Sequence, residues 1–438
     1  MKKITFITLI SLLVFNNVFA QQEKGITGYN NWLNPWTEFK PNNVNYSKPT
    51  EILSGNITRD KKLLKRNVYL LSGDVFVTDS TTLTIEPGTV IIGDFKTKGS
   101  LIISKNSQII AEGTQTDPII FTSSRSVKKP GDWGGLFILG DAPTNNFGGE
   151  SSLNYGLNPS SSRTLLYGGN NPDSNSGILK YVRIEFAGKR TRDFGYLNAL
   201  TLAGVGQETI IENIMVSYCE GNSYYIMGGK IILNQLVSYK SSGNDYKFNH
   251  GSQVWISNSL AIRSPYISGA EITRSIYAAD YDIKDDTDFS KEQTYIDAKN
   301  LTLINLSSDL KQDMSLGLVN EAIYIGSDVS FSIDKSVISG FNPAVILDEK
   351  IAINNENLNK LKFTRTYFNN CKGNIYRNGF SNNDDLENWY GSRAFDNVYS
   401  KGPDEETFID VKDTSRPDFR LRINGIIASS DLIDDDED

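Results

Sequence analysis

Between residues 68 and 124 the chain lays short β-branched runs end to end. Val68-Tyr69-Leu70-Leu71, Val75-Phe76-Val77, Leu83-Thr84-Ile85, Val90-Ile91-Ile92, Leu101-Ile102-Ile103, Gln108-Ile109-Ile110 and Ile119-Ile120-Phe121 follow one another with Gly, Asp, Pro, Asn or Ser between most of them. Such runs are too short for helices and suit strands. Many short strands closed by tight turns leave two architectures, a sandwich or a coil in which each turn stacks on the last. Repetition decides for the coil.

Leu83-Thr84-Ile85 and Leu101-Ile102-Ile103 are read as matching places 18 residues apart. Ile211-Glu212-Asn213-Ile214-Met215-Val216 returns after 21 residues as Ile232-Leu233-Asn234-Gln235-Leu236-Val237, and after 24 more as Ile256-Ser257-Asn258-Ser259-Leu260-Ala261. Looser copies stand at 179–184, 298–303, 333–338 and 363–368, with inserted loops between them. A period of about 20 to 25 residues belongs to solenoids, in which no copy buries its apolar face alone. A leucine-rich repeat would share the period, but these copies favour Ile, Val, Tyr and Phe, and no helical apolar spacing lies between them. The expected fold is therefore all-β, a right-handed parallel β-helix with inserted loops. Asn213, Asn234 and Asn258 are expected to form a stacked amide ladder in one turn column.

Composition fits a narrow interior inside a long polar surface: 39% of the 438 residues are hydrophobic, with 36 Gly and 13 Pro punctuating the length. Met1-Lys2-Lys3, the apolar run 4–15 and Val18-Phe19-Ala20 predict a secretory signal over 1–20, followed by an aromatic leader and N-terminal cap over 21–62, the β-helix over 63–425 and an acidic tail over 426–438. The residue directly after Ala20 is Gln21 and not a cysteine that could accept a lipid, and no later apolar run approaches the ~20 residues of a bilayer helix. The expected location is secreted, at the cell surface, in the periplasm or associated with the outer membrane. Cys219 and Cys371 are the only cysteines. They sit in distant copies, which argues for buried thiols and against a disulfide framework. A net charge of −8 argues against nucleic acid as partner.

Several motifs carry a resemblance. Thr82-Leu83-Thr84-Ile85-Glu86-Pro87-Gly88-Thr89-Val90-Ile91 resembles the opening coil of secreted, pectin-lyase-like right-handed parallel β-helix proteins common in Bacteroidetes, some of them labelled multidrug transporter. Ile109-Ile110-Ala111-Glu112-Gly113-Thr114, Pro118-Ile119-Ile120-Phe121-Thr122, Pro130-Gly131-Asp132-Trp133-Gly134-Gly135, Tyr181-Val182-Arg183-Ile184-Glu185-Phe186-Ala187-Gly188 and Leu200-Thr201-Leu202-Ala203-Gly204-Val205-Gly206 continue the likeness over about 50–265. The resemblance implies the fold and no agreed enzymatic role. The relatives tend to carry Asp-rich runs where this chain has Glu220-Gly221-Asn222-Ser223-Tyr224-Tyr225 and Gly243-Asn244-Asp245-Tyr246-Lys247-Phe248-Asn249-His250, so most acidic groups of that strip are absent here.

Lyases on this fold use an Arg or Lys base beside Ca²⁺ held by Asp side chains. Arg183 and Glu185, two apart on one strand face, are the catalytic candidates, with Lys189, Arg190, Arg192 and Asp193 following. The bland alternative is a surface ion pair. A hydrolase needs two carboxylates ~5 to 9.5 Å apart. Glu185, Glu212, Glu220 and Asp245 are the available groups, but the repeat places Leu233 and Ser257 beside Glu212, and that column lacks a second carboxylate. Asp280, Asp282, Asp285, Asp286 and Asp288 are candidates for Ca²⁺ and otherwise form a solvated loop. No other cofactor is expected. His250 is the sole histidine, which excludes a zinc site built on several His or Cys ligands and leaves a turn histidine as the plain reading.

Exposed rings on a flat polar coil are a platform for sugars or protein partners. The binding candidates are Trp32, Trp36, Tyr224, Tyr225, Tyr246, Arg190 and Arg192. The leader around Trp32 and Trp36 is expected to cap the open end of the solenoid or dock on a partner. The functional expectation is a binding or scaffold module for a surface polysaccharide or an envelope protein. The alternatives are a polysaccharide-active lyase or hydrolase and a surface subunit of an outer-membrane receptor or export assembly.

Overall fold

The computed structural model describes residues 24–422 apart from Asn154, Asp193, Ser268, Ala270, Glu271 and Ser381. The signal at 1–20 and the acidic tail at 426–438 lie outside the described residues, as does Asp193. Short alternating strands bury one side chain in two, and here they do so against three parallel sheets wound from one chain. Among the described residues, twenty-nine strands join one hydrogen-bonded system. Its first sheet begins in Glu51–Ile57 and runs through Val90–Gly93, Ile119–Ser123, Val237–Tyr239 and Leu260–Arg263 to Val398–Ser400. The second begins in the same strand and continues through Leu101–Ile103, Leu200–Ala203, Tyr224–Met227 and Ile276–Ala278 to Ile375–Arg377. The third runs from Lys61–Leu63 through Gln108–Glu112 and Lys230–Asn234 to Leu361–Thr364. Every pairing within these stacks is parallel, and inward Leu, Ile, Val and aromatic side chains fuse into one core along the axis. This is the parallel β-helix that the repeats predict.

The register refines the repeat. Leu83 lies in the third sheet, beside Ile109, whereas Leu101 lies in the second beside Val75, so the 18-residue interval compares different faces. The partner of Ile211 is Leu233, not Ile232. The expected amide ladder shifts accordingly: Asn213 Nδ2 donates to Gln235 Oε1 at 2.8 Å, and Asn234 stands one place earlier, beside Glu212 and Ser257. What unites the column is backbone geometry. Tyr181, Asn213, Gln235, Asn258, Asn300, Lys335 and Arg365 all adopt positive φ, between 46° and 56°, and turn the third sheet sharply into the first. Asn tolerates that conformation best among side chains with a Cβ, which is why Asn recurs there without being required.

Of the leader expected over 21–62, Glu51–Ile57 and Lys61 already belong to the first rungs of the solenoid, and the aromatic stretch before them does not cover its end. That stretch runs along the outer face of the first sheet, from the last coils to the first. Lys24 pairs with Asp396, the Gly25 amide donates to the Lys335 carbonyl, Ile26 N to Thr302 Oγ1 and Thr27 N to Asn258 Oδ1. Further along, Lys128 Nζ donates to the Val44 carbonyl and Arg183 Nη2 to Tyr46 Oη. Ile26, Leu33, Trp36 and Phe39 pack with Met215, Val237, Leu260, Ile262, Ile304 and Val337, and Phe408, Phe419 and Leu421 of the closing hairpin complete that second core. At the far end the helix Asp384–Tyr390 inserts Leu386 and Tyr390 into the main core. Cys219 and Cys371 are free thiols, and burial pushes both up to about 12.

Candidate functional site

The outer face of the second sheet remains open below the coil of Tyr224–Met227. Above that point an insertion over 141–176 folds Leu153, Tyr155, Leu157, Leu165 and Tyr167 onto Phe76, Ile102, Phe137, Leu139, Tyr225 and Met227. Below it the outward column reads Lys247, Tyr277, Tyr324, Ile346 and Tyr376, each in register with the next. All five are half-buried. Corner insertions flank this face, 264–275 and 306–322 on the side of the first sheet and 279–294 on the side of the third.

Strand alternation explains which rings reach it. Tyr224 and Tyr246 point inward, stack with centroids 5.2 Å apart, and spend their hydroxyls on carbonyls of Ile214, Val237, Leu236 and Leu260. Tyr225 points outward but is covered, only 1% exposed, with its hydroxyl donating to Asp282 Oδ2 at 3.1 Å. Trp36 is fully enclosed by the leader's own core, and Trp32 stacks on it. Of the expected binding residues Arg190 and Arg192 are exposed, in the corner insertion 188–199, where the Arg190 guanidinium lies 5.8 Å from the Tyr196 ring. The rings that do reach the open face, Tyr277, Tyr324 and Tyr376, escaped the sequence reading. Their signal is the triplet of a strand with a central Tyr, Ile276-Tyr277-Ala278, Ile323-Tyr324-Ile325 and Ile375-Tyr376-Arg377, hidden by unequal insertions.

These rings do not lie flat as a platform. Tyr277 and Tyr324 stack with centroids 5.2 Å apart and planes 17° from parallel, so their edges face outward. Cations interleave with them. The Lys247 ammonium sits 4.5 Å from the Tyr225 ring and 5.5 Å from Tyr277, and the Arg274 guanidinium 5.7 Å from Tyr277 and 4.8 Å from Tyr324. Arg274 also clasps Glu321 at 2.5 Å, and the Tyr324 hydroxyl donates to Asp348 at 2.5 Å.

At the head of the face Asp282 accepts from Asn249 Nδ2 at 2.7 Å and lies 3.4 Å from His250 Nε2 and 3.5 Å from Lys247 Nζ. Partial burial pushes its carboxyl up, but the His250 hydrogen bond and the Lys247 charge outweigh that and hold it well below the usual range. The other His250 nitrogen, Nδ1, faces Asn146 Oδ1 at 3.1 Å, and that amide donates from its nitrogen to Ser151. Both ring nitrogens therefore face side-chain oxygens of the chain itself. The sole histidine is a fastening between the 141–176 insertion and the 279–294 loop.

The acid and base candidates are likewise engaged. Arg183 and Glu185 lie 3.3 Å apart beneath the leader, 9% and 1% exposed, not on a solvated face. Burial raises the Glu185 carboxyl, and the Arg183 charge only partly offsets it. Glu212 pairs with Lys180, Asp245 with Arg263 at 3.1 Å, and Glu220 accepts from Ser242 Oγ. The neighbours of Glu212 in its column are Lys180 on one side and Asn234 on the other, so no carboxylate adjoins it, and the carboxylates further along, Glu112 and Asp334, stand beyond Lys180 and Lys299. The five Asp considered for Ca²⁺ diverge. Asp280 is buried on the Thr294 amide, Asp282 serves His250 and Asn249, Asp285 and Asp286 are exposed on the turn Lys284–Asp286, and Asp288 accepts from Ser290. Among the described residues no three His, Cys, Asp or Glu are placed to hold a metal ion, so these side chains do not fit Ca²⁺ coordination as a set.

No helix among the described residues is long and apolar enough to cross a membrane. A family model described as a pectate-lyase like beta helix domain matches residues 55–401. No curated protein and no solved structure matches the chain.

Proposed function

The chain belongs to the family of pectate-lyase-like β-helix domains, and from that premise we propose that it is a non-enzymatic glycan-binding module, acting outside the cytoplasm at the cell envelope. The open second-sheet face is the binding surface. The observation that carries this reading is the outward rank from Lys247 to Tyr376, where ring edges, a phenol bound to Asp348 and the clasped Arg274 present hydrogen-bonding groups on successive coils, interrupted only by Ile346. Sugars are recognised by such planar polar groups beside apolar ring surface. Sealing Arg183 and Glu185 beneath the leader withdraws the pair best suited to proton abstraction, which favours binding over cleavage.

The test is retention of the purified protein on immobilised envelope polysaccharides, with parallel assays for new reducing ends and for unsaturated uronate absorbance. Retention that weakens in Tyr277→Ala and Tyr324→Ala, without product, supports the reading. Product formation lost in Tyr324→Ala would replace it with an enzyme, and absence of retention on any polysaccharide would remove it.

A further inference from the structure

Both cations that interleave with the tyrosine rings, Lys247 and Arg274, have a carboxylate beside them. Lys247 faces Asp282, and Arg274 clasps Glu321 with Nε at 2.6 Å and Nη2 at 2.5 Å from one carboxylate oxygen. A third carboxylate, Asp348, accepts from the Tyr324 hydroxyl through Oδ2 and from the Lys350 amide through Oδ1, with no cation paired to it in either bond. The two cations are further engaged by three tyrosine rings. A polyuronate laid along this face would bring one carboxylate per sugar against Asp282, Glu321 and Asp348, while Lys247 and Arg274 are already paired. Like charges juxtaposed at an interface cost affinity, and a compensated cation cannot repay the desolvation of an anionic ligand. Hydroxyl groups of an uncharged sugar suffer neither penalty, and carboxylates and phenols accept and donate to them.

The spacing adds a second constraint. Parallel strands repeat at ~4.8 Å, about the length of one pyranose ring in an extended chain. Lys247, Tyr277, Tyr324, Ile346 and Tyr376 are consecutive rungs of that repeat. Resting on the glycan-binding reading above, we infer that the face takes a neutral, extended hexopyranose chain running along the solenoid axis, one sugar per coil, and rejects acidic glycans of the same length.

The experiment is affinity electrophoresis and isothermal titration of the full chain with a soluble neutral β-glucan, with its oligosaccharides of two to about eight units, and with polygalacturonate at low and high salt. Retardation by the neutral glucan, insensitive to salt, is expected. Affinity should rise with chain length to about five sugars and then level off. Polygalacturonate should bind at least tenfold more weakly. Glu321→Gln, which leaves Arg274 uncompensated, should gain salt-sensitive retention by polygalacturonate, with an unchanged melting curve confirming the fold. Tighter binding of polygalacturonate by the native chain would overturn the inference while leaving the glycan-binding reading intact. A Glu321→Gln variant that gains nothing would overturn charge compensation as its cause. Failure of every polysaccharide to bind would overturn both.

Discussion

The outer faces of the first and second sheets start from the same material, alternate residues of parallel strands, and end in opposite conditions. On the first sheet those residues are Met215, Val237, Leu260, Ile262, Ile304 and Val337, and the chain spends its leader and its closing hairpin to seal them. On the second the upper coils are sealed by an insertion, and the lower ones stay open where the outward residues become Lys247, Tyr277, Tyr324 and Tyr376. An apolar sheet face must be covered, whereas amphipathic tyrosines with paired charges can meet water. Side chains on the first flank should therefore govern stability, and those on the second should govern binding.

Removing the leader offers the largest break. Deleting residues 24–46 strips Ile26, Leu33, Trp36 and Phe39 and uncovers the apolar rank beneath them, each side chain worth about 1.5–3 kcal/mol. The truncated chain is expected to bind a hydrophobic dye and self-associate, as read by fluorescence and sedimentation. A soluble monomer that melts like the full chain would show the seal to be ornamental. Trp36→Ala alone should cost about 3–5 kcal/mol in urea denaturation, while glycan retention below its melting transition stays at the native level.

Next comes the ion pair under the strap. Arg183→Ala strands the Glu185 carboxylate in a site from which water is excluded, a change expected to cost about 3–5 kcal/mol. Arg183→Met with Glu185→Leu removes both charges and should recover most of that loss. If the double variant is as unstable as the single one, packing rather than charge holds the strap there.

The contrast between flanks also marks how far the sequence could be read. Leu179, Ile211, Ile256, Ala298, Ile333 and Phe363 do share one column, so repeat spacing located these coils even across long insertions, while the copy begun at Ile232 lies one place off, with Leu233 in the column. It misplaced Asn234 because the conserved quantity is a left-handed backbone at one turn, which Tyr181, Gln235, Lys335 and Arg365 also adopt. The leader was legible as aromatic and unlike the coils, but its partners lie hundreds of positions away, Lys24 on Asp396 and Gly28 on Arg420, where local pattern carries no information. Tyr225 and Tyr277 share a column, yet one is covered and the other open because an insertion covers only the upper coils.

A smaller effect is expected at the lower rim of the seal. Asp404, in the short helix Asp404–Thr407, accepts from Ser339 Oγ and Asn369 Nδ2 on the first sheet, and burial pushes its carboxyl up to about 6. The folded chain thus keeps a proton that the unfolded chain releases near 3.8, so this group's contribution is present at low pH and is lost as pH rises from about 4 to about 6. Asp404→Asn should flatten that part of the stability profile and gain on the native chain above pH 6, in melting curves recorded side by side. A parallel pair of profiles would mean that the carboxyl is solvated in the folded chain.

The smallest change in stability should accompany the largest change in binding per atom removed. Tyr324→Phe deletes one half-exposed hydroxyl and its bond to Asp348, a loss of about 0.5–1.5 kcal/mol by the ordinary worth of such a bond. The ring stack with Tyr277 and the approach of Arg274 are kept. On the open flank that hydroxyl, held in place by Asp348, is the polar group offered to a sugar, so retention on neutral glycan should fall several-fold while the melting temperature moves by a few degrees at most. On the sealed flank Tyr46→Phe makes the matching deletion, removing a hydroxyl that accepts from Arg183. There the order should reverse, with stability lost and retention untouched, and two variants that respond alike would dissolve the distinction between the faces.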